Sequence, residues 1–242
     1  MDDIPYYGDF IRNMNDICQQ SIVCIQIRSK NDVSVGTGIV VASGDRSCFV
    51  MTSSALTKAR VGEARGVGTV EFFDGTIHRI DWNRVKDQKE VSFIHISDKM
   101  IHWEAVNFSN IEAVEGQRVF SYGYDSTSQR RYISGNLVSG TGIANNEDSQ
   151  FVHGCSTGLN GHQGSAVFNE TQQLVGMNIS YTRSKGKDYI DPPKKSGPGG
   201  LVSALDLQTI KHMLQLFCNK SAGKSLQETL QDLQKCLRVM EG

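Results

Sequence analysis

Apolar residues come in short runs through the middle of the chain: "VSVGTGIVV", "SCFVMTS", "GTVEFF", "TIHRI", "VSFIHI", "RVFSYGY", "YISGNLVSG", "SQFVHG", "SAVF", "QLVGMNI" and "GGLVSAL". Gly, Asn, Asp and Ser separate them at even spacing, the signature of an antiparallel sandwich or a pair of barrels. The Asp74-Gly75 pair in "FFDGTI" favours the positive φ of a tight hairpin, and the polar loop in "FNETQQL" joins two further strands. Helical patterning is confined to the ends. "YYGDFIRNMNDICQQ" precedes the first strand, and "ALDLQTIKHMLQLF" follows the last with Leu207, Ile210, Leu214 and Phe217 on one face. In "SLQETLQDLQKCLRVM", residues Leu226, Leu230, Leu233, Leu237 and Met240 alternate steps of four and three, a stripe two heptads long. Such a helix either folds onto its own barrel or meets a partner, and so short a repeat favours the first.

The chain of 242 residues carries 25 basic and 26 acidic side chains, a net charge of -1. No global field draws it to nucleic acid or to an anionic membrane, and any partner must be recognised locally. Neither a specific nucleic-acid role nor a membrane role is expected, since no window approaches the ~18 apolar residues of a span and no basic-aromatic interleaving is present. Cys24 and Cys48 lie inside apolar runs, and the six cysteines together read as reduced, buried thiols. "MDDIPYYGDF" is acidic and lacks the basic start and apolar core of a signal peptide. The expected location is cytoplasmic or nuclear, and organellar if a transit peptide has been removed. Residues 181–200 hold three of the four prolines and five Lys or Arg, so they form a loop. Its basic character suits an acidic partner, although most such runs are only solvated surface.

Three stretches in order resemble trypsin-like serine proteases of the Do-like (HtrA/Deg) branch, over roughly residues 20 to 215. "GTGIVVASGDRSCFVMTSSAL" is similar to that family's opening hairpin and the strand ending in Thr-Asn-Ala-His. "KEVSFIHIS" is similar to its Asp-Leu-Ala-Leu-Leu strand. "GLNGHQGSAVFNETQQLVGMNIS" is similar to its Pro-Gly-Asn-Ser-Gly-Gly-Pro turn and the Gly-Ile-Asn strand that walls the pocket. The resemblance implies an all-β fold with terminal helices, built as two antiparallel six-stranded barrels. The expected segments are 1–20 (helical), 21–112 (first barrel), 113–204 (second barrel) and 205–242 (helices, the tail helix at about 224–240).

Proteolysis on this fold needs a serine nucleophile, an imidazole base and a buried carboxylate that holds the imidazole's tautomer. Position by position, the resemblance places the histidine on Ala55, the aspartate on Glu90 and the serine on Gln163. Alanine accepts no proton, and an amide offers neither a removable proton nor a useful nucleophile. The histidines stand at 78, 95, 102, 153, 162 and 212, none of them where the base belongs. The expectation is an inactive relative, a pseudoprotease acting as an intracellular protein-binding or regulatory module; degenerate copies of this kind look most like those of plants.

Peptide capture can outlive catalysis, because the oxyanion hole is built from backbone N–H groups. The candidate peptide cleft comprises Gly161, His162, Gln163 and Gly164 with Met177, Asn178 and Ile179 of the wall strand, along which a substrate would add as an extra strand. The alternative is an active hydrolase of non-standard design with Cys155 as thiol nucleophile beside His153 and His162. Against it, the resemblance puts cysteine nucleophiles of viral relatives at the position of Gln163. No Cys-x-x-Cys or His-x-x-x-His spacing is present, so neither metal nor cofactor is expected. A protein or peptide partner is expected, with homo-oligomerisation through Tyr6, Tyr7 and Phe10 or through the C-terminal helix as a further route.

Overall fold

The computed structural model describes residues 5–28, 33–58, 66–97, 103–125, 131–145, 148–155, 163–182, 200–219 and 223–241. After α1 (Pro5–Cys18), seven strands form one sheet: β1 (Ile22–Arg28), β2 (Val33–Ser43), β3 (Ser47–Ser53), β4 (Val67–Glu71), β5 (Ile77–Arg79), β6 (Val85–Gln88) and β7 (Val91–Ser97). A short helix, α2 (Ser54–Lys58), follows β3 directly. The second sheet holds β8 (Arg118–Tyr124), β9 (Arg131–Asn145), β10 (Asp148–Cys155), β11 (Ala166–Phe168), β12 (Leu174–Thr182) and β13 (Gly200–Asp206). The helices α3 (Leu207–Phe217) and α4 (Leu226–Glu241) close the sequence of elements.

Among the described pairings the second sheet is a closed barrel in the order β10-β13-β12-β11-β8-β9, while the first runs β5-β4-β1-β2-β3-β7-β6 and keeps two edges. The double-barrel plan is therefore present, with one barrel closed and the other a seven-stranded sheet curled into a half-barrel. Its edge strands are short: β5 has three residues and β6 has four. "VKDQ" of β6 carries no apolar alternation, and it is a strand because it pairs with β7 from Val85 opposite Ile94 to Gln88 opposite Val91.

Burial explains why the central strands read as continuous apolar runs. Val23, Ile25, Val40, Cys48, Val50, Val70 and Ile94 fill the half-barrel's own core. Their neighbours Cys24, Ile39, Phe49, Met51 and Phe93 point the other way, into a second core shared with Phe120, Tyr122, Phe168 and Met177 of the closed barrel. β1, β2, β3 and β7 thus bury both faces, which costs them the polar alternation of a half-exposed sheet. Val119, Val138, Phe151, Val167, Val175 and Ala204 fill the closed barrel.

The helices complete the shared core. Met14 and Cys18 of α1, Ile210 and Leu214 of α3, and Leu233 and Leu237 of α4 are buried in it. Asp206 caps α3 by accepting from Thr209 N–H at 2.9 Å. α4 starts on a capping box in which Glu228 N–H donates to Ser225 Oγ at 3.2 Å and Ser225 N–H donates to Glu228 Oε2 at 2.8 Å. Of the leucine stripe, Leu233 and Leu237 turn inward while Met240 stays 52% exposed, so the helix lies on its own chain, against β2 and β3. No helix among the described residues is long and apolar enough to cross a membrane.

Candidate functional site

The positions to which the resemblance assigns the cleft lie where β2 and β3 of the half-barrel approach the turn before β11. On the half-barrel side, Ser53 ends a fully buried strand, Ser54 opens α2 still buried, and Ala55 emerges exposed in its first turn. Hydrogen bonds fix this corner: Ser54 N–H donates to Glu90 O at 2.8 Å and Ser54 Oγ to Lys89 O at 2.7 Å. Glu90 sits at the β6–β7 hairpin corner, where Lys89 has φ +50°, and it is exposed. A carboxylate there lacks the burial with which a triad acid holds an imidazole.

A different carboxylate enters the site. Asp87 Oδ1 accepts hydrogen bonds from Ser92 Oγ and, at 3.2 Å, from Thr57 Oγ1. The Thr57 and Ser92 hydroxyls lie 2.5 Å apart, and both residues are buried. This Asp87–Thr57–Ser92 cluster anchors α2 beneath Ala55. Nothing in linear spacing groups these three; the only signal is a serine inside the apolar run "VSFIHI", which must find a partner when buried.

On the closed-barrel side the turn at 163–165 is held by backbone bonds. Thr37 N–H donates to Gln163 O at 3.2 Å, Gly164 N–H to Asn178 O at 2.8 Å, and Asn178 N–H to Ser165 O at 2.9 Å. Gly164 has φ +82°, and a Cβ built on it would lie 2.1 Å from Thr37 O and 2.6 Å from Thr52 Oγ1. Only glycine fits, both for its backbone angle and for the approach of β2. Thr37 also accepts at Oγ1 from Tyr124 N–H at 2.9 Å, so one threonine ties the half-barrel to two elements of the closed barrel.

Gln163 is exposed. Ser165 is fully buried, and its Oγ lies 2.8 Å from Tyr132 OH. Met177 is buried in the shared core rather than along the cleft surface, and Ile179 is 7% exposed. Asn178 is buried, its side-chain oxygen 2.9 Å from His153 Nε2 and its amide nitrogen 3.3 Å from Ser121 Oγ. His153 Nδ1 lies 2.8 Å from Gly154 O. Burial holds this imidazole's pKa below its ordinary value, and its two ring nitrogens link β10 to β12. Gly161 and His162 lie outside the described residues, as does the side chain of Cys155.

Cys18, Cys24, Cys48, Cys218 and Cys236 are free thiols, the first four buried. Burial pushes Cys18 and Cys24 up to about 12 and raises Cys48 further, which leaves these three inert as nucleophiles at neutral pH. Among the described residues no group of three or more His, Cys, Asp or Glu is placed to hold a metal ion.

Comparison with solved structures finds the same fold in the HtrA-type protease AlgW with a tripeptide, at a TM-score of 0.62 and 13% identity over 85% of this chain and 62% of that one. The serine endoprotease from Yersinia pestis gives a TM-score of 0.63 at 14% identity, over 90% and 70% of the two chains. The chain thus spans less than two thirds of the AlgW structure, and at these identities the likeness is one of fold. Comparison with curated protein sequences found no significant match. Residues 36–177, which run from the Gly36 hairpin through the Gln163 turn to Met177 on the wall strand, match the family model of the trypsin-like peptidase domain, and the chain belongs to that family.

Proposed function

We propose that this chain is a catalytically inactive trypsin-fold protein, a pseudoprotease, that acts as a protein-binding or regulatory module. The observation that carries the reading is the pair Ala55 and Gln163, each exposed at one wall of the cleft on an otherwise ordered frame. Neither side chain takes a proton from a nucleophile or attacks a carbonyl. Losing one key triad member costs up to about six decades of turnover, and here two are replaced.

Peptide capture is supported by the sheet register. β11 pairs with β12 only as far as Met177, so a peptide strand running beside Ile179–Thr182 would continue the place of β11. The exposed amide of Gln163 would then donate to a carbonyl of that peptide.

The test has two arms. Incubation with an unfolded casein-like substrate and with a fluorophosphonate serine probe is expected to give no turnover and no labelling; turnover abolished by Cys155→Ala would replace this reading with a thiol hydrolase. Restoring Ala55→His, Glu90→Asp and Gln163→Ser together then probes the cleft. Regained proteolysis would place peptide binding there, whereas a folded, inert triple variant would move the partner surface to the basic loop or the tail helix.

A further inference from the structure

The tail helix α4 carries more apolar positions than its core face uses. Leu233 and Leu237 are buried, whereas Val239 is 81% exposed and Met240 52%. These two stand, with Cys236, on one side of a cavity of about 390 Å³ whose other apolar walls are Phe49 of β3 and Phe217 and Cys218 at the end of α3. Its size falls in the ~300–1,000 Å³ range of small-ligand sites, and it shares no residue with the cleft. Aromatic, alkyl, thiol and thioether groups make up this wall, and none of them selects a polar atom of a ligand. Hydrocarbon is what it accommodates.

The charged groups of the lining are Lys86, Asp232 and Lys235, and they fix the sign of the ligand's polar end. Asp232 is answered twice over: Lys224 Nζ donates to its Oδ2, and Lys235 Nζ lies 3.7 Å from its Oδ1. Lys86 has no acid among the described residues. Its Nζ lies instead over the Phe217 ring, 5.2 Å from the centroid, at the apolar wall itself. A cation over an exposed ring gains little, and a carboxylate delivered there by a bound hydrocarbon would hold it more strongly. We propose that this cavity binds a medium-chain alkyl carboxylate, its chain against Phe49, Phe217, Val239 and Met240 and its carboxylate accepting from Lys86 Nζ.

The test is a titration of the intact chain with octanoate, decanoate and dodecanoate below their micellar concentrations, read from the Met240 methyl resonance in protein labelled with ¹³C-methyl methionine. A saturable shift is expected, with affinity rising by about tenfold for each two added methylenes. Decanol, which keeps the chain and lacks the charge, should bind about fivefold more weakly than decanoate. Lys86→Gln should bring decanoate down to the affinity of decanol, and Lys86→Arg should retain the difference. Val239→Asp sets a second carboxylate at the rim from an exposed position, and it should abolish decanoate binding with the melting temperature little changed. No saturable shift, an affinity indifferent to chain length, equal binding of decanol and decanoate, or unaltered affinity in both Lys86→Gln and Val239→Asp would overturn the proposal.

Discussion

The closed barrel pairs every strand on both sides, whereas the half-barrel leaves β5 and β6 as edges; α4 covers its β2 and β3, while α3 lies across strands of both sheets. The same contrast reaches the cleft. The wall contributed by the closed barrel is set by main-chain bonds around Gly164, so its shape does not depend on what stands at position 163. The half-barrel's wall depends more on side chains, with Asp87, Thr57 and Ser92 holding α2 from below. One wall tolerates a change of side chain without moving, and the other carries its order in the side chains themselves.

Substitutions can sharpen or break that contrast. Gly164→Ala is expected to cost most, about 4 kcal/mol or more, because positive φ and the Thr37 carbonyl act together; urea unfolding within 1 kcal/mol of the parent would show that the turn yields. Leu233→Ala removes a fully buried contact between α4 and the shared core, and about 3 kcal/mol of stability should go with it in the same assay. Hydrogen exchange should then rise in β2 and β3 before it rises in the closed barrel, and uniform loss of protection would show that the two sheets open as one unit.

Asp87→Ala should cost only about 1 kcal/mol, since Thr57 and Ser92 still bond to each other. Faster exchange confined to α2 is its expected signature. The smallest effect concerns pH. The pKa of His153 is held below the ordinary 6.5 in the fold, so the unfolded chain binds more protons and stability falls as pH drops through 6.5. His153→Gln should flatten that slope between pH 7.5 and 5.5; an unchanged difference between the two chains would remove His153 from the account.

Much of the fold was legible because burial on both faces writes continuous apolar runs. "SCFVMTS" and "VSFIHI" coincide with β3 and most of β7, and the Asp74-Gly75 turn appears with Gly75 at φ +84°. β6 was not legible, since its four residues are fixed by pairing rather than by pattern. Nor was the open edge of the half-barrel, which depends on strand length and curl. Ala55 and Gln163 could be read because each stands in a short motif of contiguous residues. The Asp87–Thr57–Ser92 cluster and the His153–Asn178 strut could not, because each joins residues that only the fold brings together. Glu90 shows the remaining limit, as alignment gives a position but not its exposure.

Glu241, in the last turn of α4, accepts from Arg46 N–H at 2.9 Å and from Ser47 Oγ at 2.8 Å, across 194 to 195 residues of sequence. Gln234 reaches Ser43 O at 2.7 Å, and Phe217 packs on Phe49 and Phe93 with ring centroids 4.9 and 4.6 Å apart. A ribosome releasing this chain from its N-terminus presents β3 and β7 long before their cover exists. During synthesis at about 5–20 residues per second the two phenylalanines wait on the order of ten seconds for Phe217 and α4. The nascent half-barrel thus leaves Phe49 and Phe93 without their cover until Phe217 and α4 emerge.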